Sequence, residues 1–195
     1  MTPDSAGSTV VPGDDRVRVP AGEAAGTPPD SRTDIPVAWD ERTMLNTLLD
    51  YARTTVHAKC AGITEADARR APLPGSPLTT ISGLVSHLRW VEYAWFEVNL
   101  LGEEYHGPCT DEDPDREMRI AVEVPIAQLL AEYESACARY RELAASLDLD
   151  TQSKATFSGE PFTLRYLLLH LIEETARHNG HIDILHEMAD GVTGA

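Results

Sequence analysis

Residues 164–191 read LRYLLLHLIEETARHNGHIDILHEMADG, and the fold and the candidate chemistry both turn on this stretch. Leu167, Leu171, Glu174, His178, His181 or Ile182, and Leu185 recur at three- and four-residue steps, the spacing of one face of a helix. Thr163 is placed to cap its start, and Asp190-Gly191 closes it after about Met188. The face is apolar at both ends and polar in the middle. Side chains four residues apart lie about 5 to 6 Å from one another on adjacent turns, so Glu174 and His178 can grip one ion together. His181, one further step along, offers a fourth contact.

Working outward, three more helices are predicted. Pro125, a favoured first-turn residue, opens a helix carrying Ile126, Leu129, Leu130, Tyr133, Cys137, Tyr140 and Leu143 and ending near Leu147. Thr79 or Thr80 caps another, with Leu84, Leu88, Val91 and Trp95 on one face and a stop at Leu101-Gly102. Asp40 caps the first, whose stripe is Leu45, Leu48, Leu49, Ala52 and Val56. A short helical turn over 63–70, the PLPGSP breaker at 72–77, and a long acidic loop from Glu103 to Glu117 separate these elements. Thr156 to Pro161 reads as a turn, and no segment shows strand alternation. The expected fold is all-α, a four-helix bundle over residues 37–195. Residues 1–36, rich in Pro, Gly, Ser, Asp and Ala, hold too few large apolar side chains to offset the entropy of ordering and are expected to form a disordered tail.

Composition narrows the function classes. A formal charge of −16 argues against nucleic acid, whose phosphates call for clustered Lys and Arg. The apolar run Leu164 to Ile172 is broken by Arg165 and His170 and falls short of the roughly 20 residues of a membrane span. The N-terminus lacks a positive start followed by an apolar stretch, and the three cysteines, Cys60, Cys109 and Cys137, are odd in number, so a reducing cytoplasm is expected. Each cysteine reads as an idle or buried thiol. Cys109, in a Gly-Pro-acidic loop, is the one to watch. Phosphate-binding loops, dinucleotide fingerprints, paired Cys-x-x-Cys and nucleophile elbows are absent.

The second predicted helix supplies a match for the polar face of the fourth. His87 lies three residues after Leu84 and four before Val91, and so faces inward. A lone inward histidine is ordinarily a hydrogen-bonded core or edge residue. With Glu174 and His178 it completes a three-ligand set, in which a divalent cation turns the several kcal/mol cost of a buried carboxylate into coordination. Glu173 points about 100° away from Glu174, toward solvent. His57, His106, His170 and His186 read as edge or surface residues. Arg89, Trp90, Trp95 and Arg177 either border the site or serve packing and surface ion pairs.

The stretches LVSHLRWVEYAWF at 84–96 and HLIEETARHNGHIDILHE at 170–187 resemble the DinB-like superfamily, and within it the actinobacterial branch labelled mini-circle protein. The bias to Arg, with Lys only at 59 and 154, agrees with a high-GC source. The likeness spans about 38–194 and implies a four-helix bundle with a metal triad, its ligands falling on His87, Glu174 and His178. Many relatives carry His at the position of Glu174, whereas the mycothiol-dependent maleylpyruvate isomerases use His, Glu and His; they are two-domain proteins, and this chain lacks room for their second domain. The resemblance thus implies a metal-dependent enzyme, zinc favoured over nickel, iron or manganese, with a low-molecular-weight thiol such as mycothiol as cosubstrate in transfer, isomerisation or detoxification. Two readings stay open beside it: a non-catalytic metal or small-ligand protein of stress response, and a bundle whose polar stripe is only a satisfied network. Dimers are common among the relatives, so a homodimer is a further expectation.

Overall fold

The computed structural model describes residues 39–191 and 193. The expected tail over 1–36 lies outside the described residues. Four long helices carry the fold: α1 (Glu41–Lys59), α3 (Ile81–Tyr93), α5 (Ile126–Ser146) and α6 (Leu164–Asp190), with two short ones between them, α2 (Glu65–Ala68) and α4 (Arg116–Ala121). The predicted caps close the helix starts. Asp40 accepts from the Thr43 amide, Thr80 from Gly83, and Thr163 from Tyr166. At the far end of α6, Gly191 takes the left-handed conformation at φ 76°.

α3 does not end at Tyr93. It runs on as a π-helical segment, Ala94–Leu100, before Gly102 stops it at φ 78°. A Cβ on Gly102 would also sit 2.8 Å from the Cβ of Lys154, so the position needs glycine twice over. Lys154 belongs to an element that the sequence reading lacked. β1 (Gln152–Phe157) and β2 (Glu160–Thr163) pair antiparallel, joined at Ser158 and Gly159, both at positive φ. Two such residues make the tight turn that suits a hairpin. The turn is shorter than the 156–161 read from the sequence, since Thr156, Phe157, Glu160 and Pro161 are paired strand residues; the strands were not legible, because in β1 only Ser153 is buried and the pairing is irregular between Gln152 and Thr156.

The helices pack as α1 on α6, α3 on α5 and α3 on α6. Their apolar faces form two clusters. One gathers Val56, Leu84, Leu88, Leu129, Tyr133, Ile182 and Leu185. The other gathers Leu45, Leu49, Phe96, Tyr140, Leu167, Leu168 and Leu171. Along each of α1, α3 and α6 the change from one cluster to the other falls at polar residues: Arg53, Glu92, and Glu174 with Thr175 and Asn179, all buried. The bundle therefore has a polar waist. Its α1–α3 side is closed by a two-bond ion pair, Arg53 Nε to Glu92 Oε1 at 2.7 Å and Nη2 to Oε2 at 2.6 Å. Asn179 donates to the Ala52 carbonyl at 2.8 Å. The α3–α6 side of the same waist holds the candidate site. No helix among the described residues is long and apolar enough to cross a membrane.

Candidate metal centre

His87 reaches the waist from α3, and Glu174 and His178 reach it from successive turns of α6. One ligand atom from each falls within 4.8 Å of the others. Glu174 Oε1 is the hub, 3.1 Å from His178 Nε2 and 3.4 Å from His87 Nε2. The imidazoles stand edge to face, with centroids 5.0 Å apart. Burial is deep but not complete: the side chains of His87, His178 and Glu174 are 25%, 14% and 11% exposed. All three therefore touch solvent.

Three electron-rich atoms aimed at one point form a cluster short of positive charge. A neutral imidazole has a single N–H, and a carboxylate has none. Unless a proton or a cation sits among them, lone pairs face lone pairs. Burial opposes charging His87, but the hydrogen bonds to Glu117 and Glu174 outweigh it and hold its pKa above the ordinary 6.5. Burial and the neighbouring His87 charge push His178 below that value. Burial would raise the Glu174 pKa, yet the charge of His178 and the hydrogen bonds from both imidazoles hold it below 4.5. Two imidazoles and a carboxylate suit a borderline divalent ion such as zinc, so the donor set fits the group.

The surroundings decide the remaining candidates. Arg177 borders the site, donating to Glu174 Oε2 at 2.8 Å and to Glu173 at 2.7 Å, which leaves Glu174 Oε1 turned to the imidazoles. Glu173 faces solvent as expected. His181 stands apart from the hub: its Nδ1 meets Nδ1 of His178 at 3.2 Å, on the ring edge away from Glu174, and its side chain is exposed. His57 stacks on Tyr133, His170 packs on Trp95 at 4.1 Å, and His186 Nδ1 donates to the Lys59 carbonyl, so none of them enters. Arg89 and Trp90 line a separate open groove of about 1060 Å³ between α3 and α5, together with Tyr93, His106 and Arg139. Cys60 and Cys137 are buried free thiols.

One residue escaped the sequence reading. Glu117, assigned to the end of an acidic loop, lies in the first turn of α4, buried, with Oε1 3.2 Å from Nδ1 of His87. Its Oε2 accepts from the thiol of Cys109. The one sequence signal was its four-residue spacing from Ala121, which is also buried.

A family model described as mycothiol-S-transferase matches residues 44–191. No curated protein matches the chain.

Proposed function

Since the chain belongs to the mycothiol-S-transferase family, a DinB-like family, we propose that it is a metal-dependent transferase that joins the thiol of mycothiol to an electrophilic small molecule. The observation that carries this reading is the convergence of His87 Nε2, Glu174 Oε1 and His178 Nε2 on one half-open point. These three residues are the proposed ligands, zinc is the proposed ion, and nickel, iron and manganese suit the same donors. When bound, a divalent ion supplies a Lewis acid that favours the thiolate form of a coordinated thiol near neutral pH. The protein's own groups do the rest. Glu174 brings a negative charge that offsets the ion's, Arg177 holds the second oxygen of that carboxylate, and the apolar clusters above and below the waist fix both helices. In the transfer to a halogenated electrophile, the thiol loses its proton to solvent, its sulfur forms a bond to the electrophilic carbon, and the carbon–halogen bond breaks to release halide. The cytoplasm is the proposed compartment, where such a thiol is kept reduced and Cys60, Cys109 and Cys137 stay free.

A thiol-consumption assay tests the reading. Purified protein with mycothiol and a halogenated aromatic electrophile should consume the thiol faster than buffer does. Chelator treatment and His178→Ala should each abolish the excess rate, and added zinc should restore it only in the chelated wild type. A rate that is indifferent to chelation and to His178→Ala contradicts the proposal.

A further inference from the structure

Glu117 is clamped to α3 at two adjacent residues. Its backbone carbonyl accepts from Ser86 Oγ at 2.8 Å, and its carboxylate meets His87 Nδ1 at 3.2 Å. On the other side the carboxylate accepts from Cys109. The loop that delivers Cys109 is itself pinned to α3 through Tyr93, whose hydroxyl donates to the Glu104 carbonyl at 3.1 Å and accepts from the His106 amide at 2.9 Å. Tyr105 then packs on Tyr93, and its hydroxyl accepts from the Cys109 amide at 3.3 Å. Gly107 leaves room for that hydroxyl, which a Cβ there would meet at 2.2 Å. Loop, thiol and carboxylate are thus built as one support against the outer edge of the His87 ring.

We propose that Glu117 is the positioning residue of the metal centre, with Cys109 as its support; the proposal rests on the reading that His87 is a metal ligand. A carboxylate can only accept, so with an ion on Nε2 the single N–H of His87 lies at Nδ1, 3.2 Å from Glu117 Oε1, which takes it. Metal-bound histidines ordinarily donate their other ring N–H in this way, and the partner fixes both tautomer and ring orientation. The thiol of Cys109 is suited to its part as a donor. Burial, then the neighbouring Glu117, raise its pKa above the ordinary 9.0, so it keeps its proton. Glu117 gains a second hydrogen bond from it, which a buried carboxylate needs if it is to stay ionised.

The test combines zinc affinity, by competition with a chromophoric chelator, with nitrogen–proton NMR of the histidine rings in zinc-loaded full-length protein. Wild type should show His87 protonated at Nδ1 with Nε2 on the metal. Glu117→Ala should weaken zinc on the order of 10- to 100-fold and release the fixed tautomer. Glu117→Gln, whose amide oxygen still accepts, should keep the tautomer and regain part of the affinity; if Glu117→Ala fails to fold, this variant decides by its affinity. Cys109→Ser should match wild type, and Cys109→Ala should fall between wild type and Glu117→Ala. Wild-type affinity and tautomer in both folded Glu117 variants would overturn the proposal. Zinc binding that His87→Ala leaves undisturbed would overturn the metal-centre reading itself, and the positioning role with it.

Discussion

At the proposed metal site protons and an ion would compete for the same atoms, and the local charges set the terms. His87 must lose its proton before Nε2 can bind an ion, and its pKa lies above 6.5 because Glu117 and Glu174 hold the charged form. His178, pushed below 6.5 by burial and the His87 charge, gives up its proton before His87 does. Metal affinity should therefore rise with pH until His87 has titrated, and below that point fall about tenfold per pH unit for the one proton displaced. Chelator-competition titrations across that range check the slope; an affinity flat with pH would contradict the assignment of His87. Glu174→Gln keeps the shape of the hub and removes its charge, so it should weaken zinc while the metal-free fold persists, as a parallel calorimetric titration would show. The i, i+4 spacing made Glu174 and His178 legible in the sequence, and the apolar neighbours of His87 did the same for that ring. Glu117 was hidden because it stands among Asp111, Glu112, Asp113 and Asp115, and only the fold of the loop separates the one buried carboxylate from its exposed or half-exposed neighbours. The place of His181 depended on which edge of the His178 ring it meets, a distinction that residue spacing does not carry.

Between α1 and α3 the waist is held by charge. Arg53 and Glu92 are both buried and share two hydrogen bonds, so removing one partner leaves the other as an uncompensated buried charge. Glu92→Ala should cost about 3 to 5 kcal/mol in denaturant unfolding, whereas replacing both residues by apolar ones of similar volume should cost much less. Equal losses in the two variants would mean that packing, not charge, is what fails. Helix-level features were legible where a cap and an apolar stripe coincide, as at Asp40, Thr80 and Thr163. The hairpin had neither. Its strands expose most of their side chains, and what registers them is the Ser158-Gly159 turn and the approach of Gly102 to Lys154, one local and one tertiary. The π-helical stretch at 94–100 likewise keeps the apolar spacing of an ordinary helix, so its register shift left no mark on the pattern.

At the scale of the molecule, two apolar clusters meet at a polar layer, and a bound ion would tie α3 to α6 across it. Anything that binds only the folded state stabilises it by mass action, by about 2.7 kcal/mol at a ligand concentration of 100 times Kd. Zinc should raise the unfolding temperature of chelated wild type and leave that of His87→Ala unchanged, as thermal scans with and without metal would record. The net charge of −16 makes non-specific attraction of cations a real competitor for such an effect, which is why the variants matter more than the wild type alone. The most direct measurement is the metal content of protein purified without a histidine tag, for wild type, His87→Ala and His178→Ala side by side. Metal stoichiometric with the chain in wild type and lost from both variants is the predicted result; metal retained by either variant, or none taken up by wild type after reconstitution, would contradict a centre built on these residues.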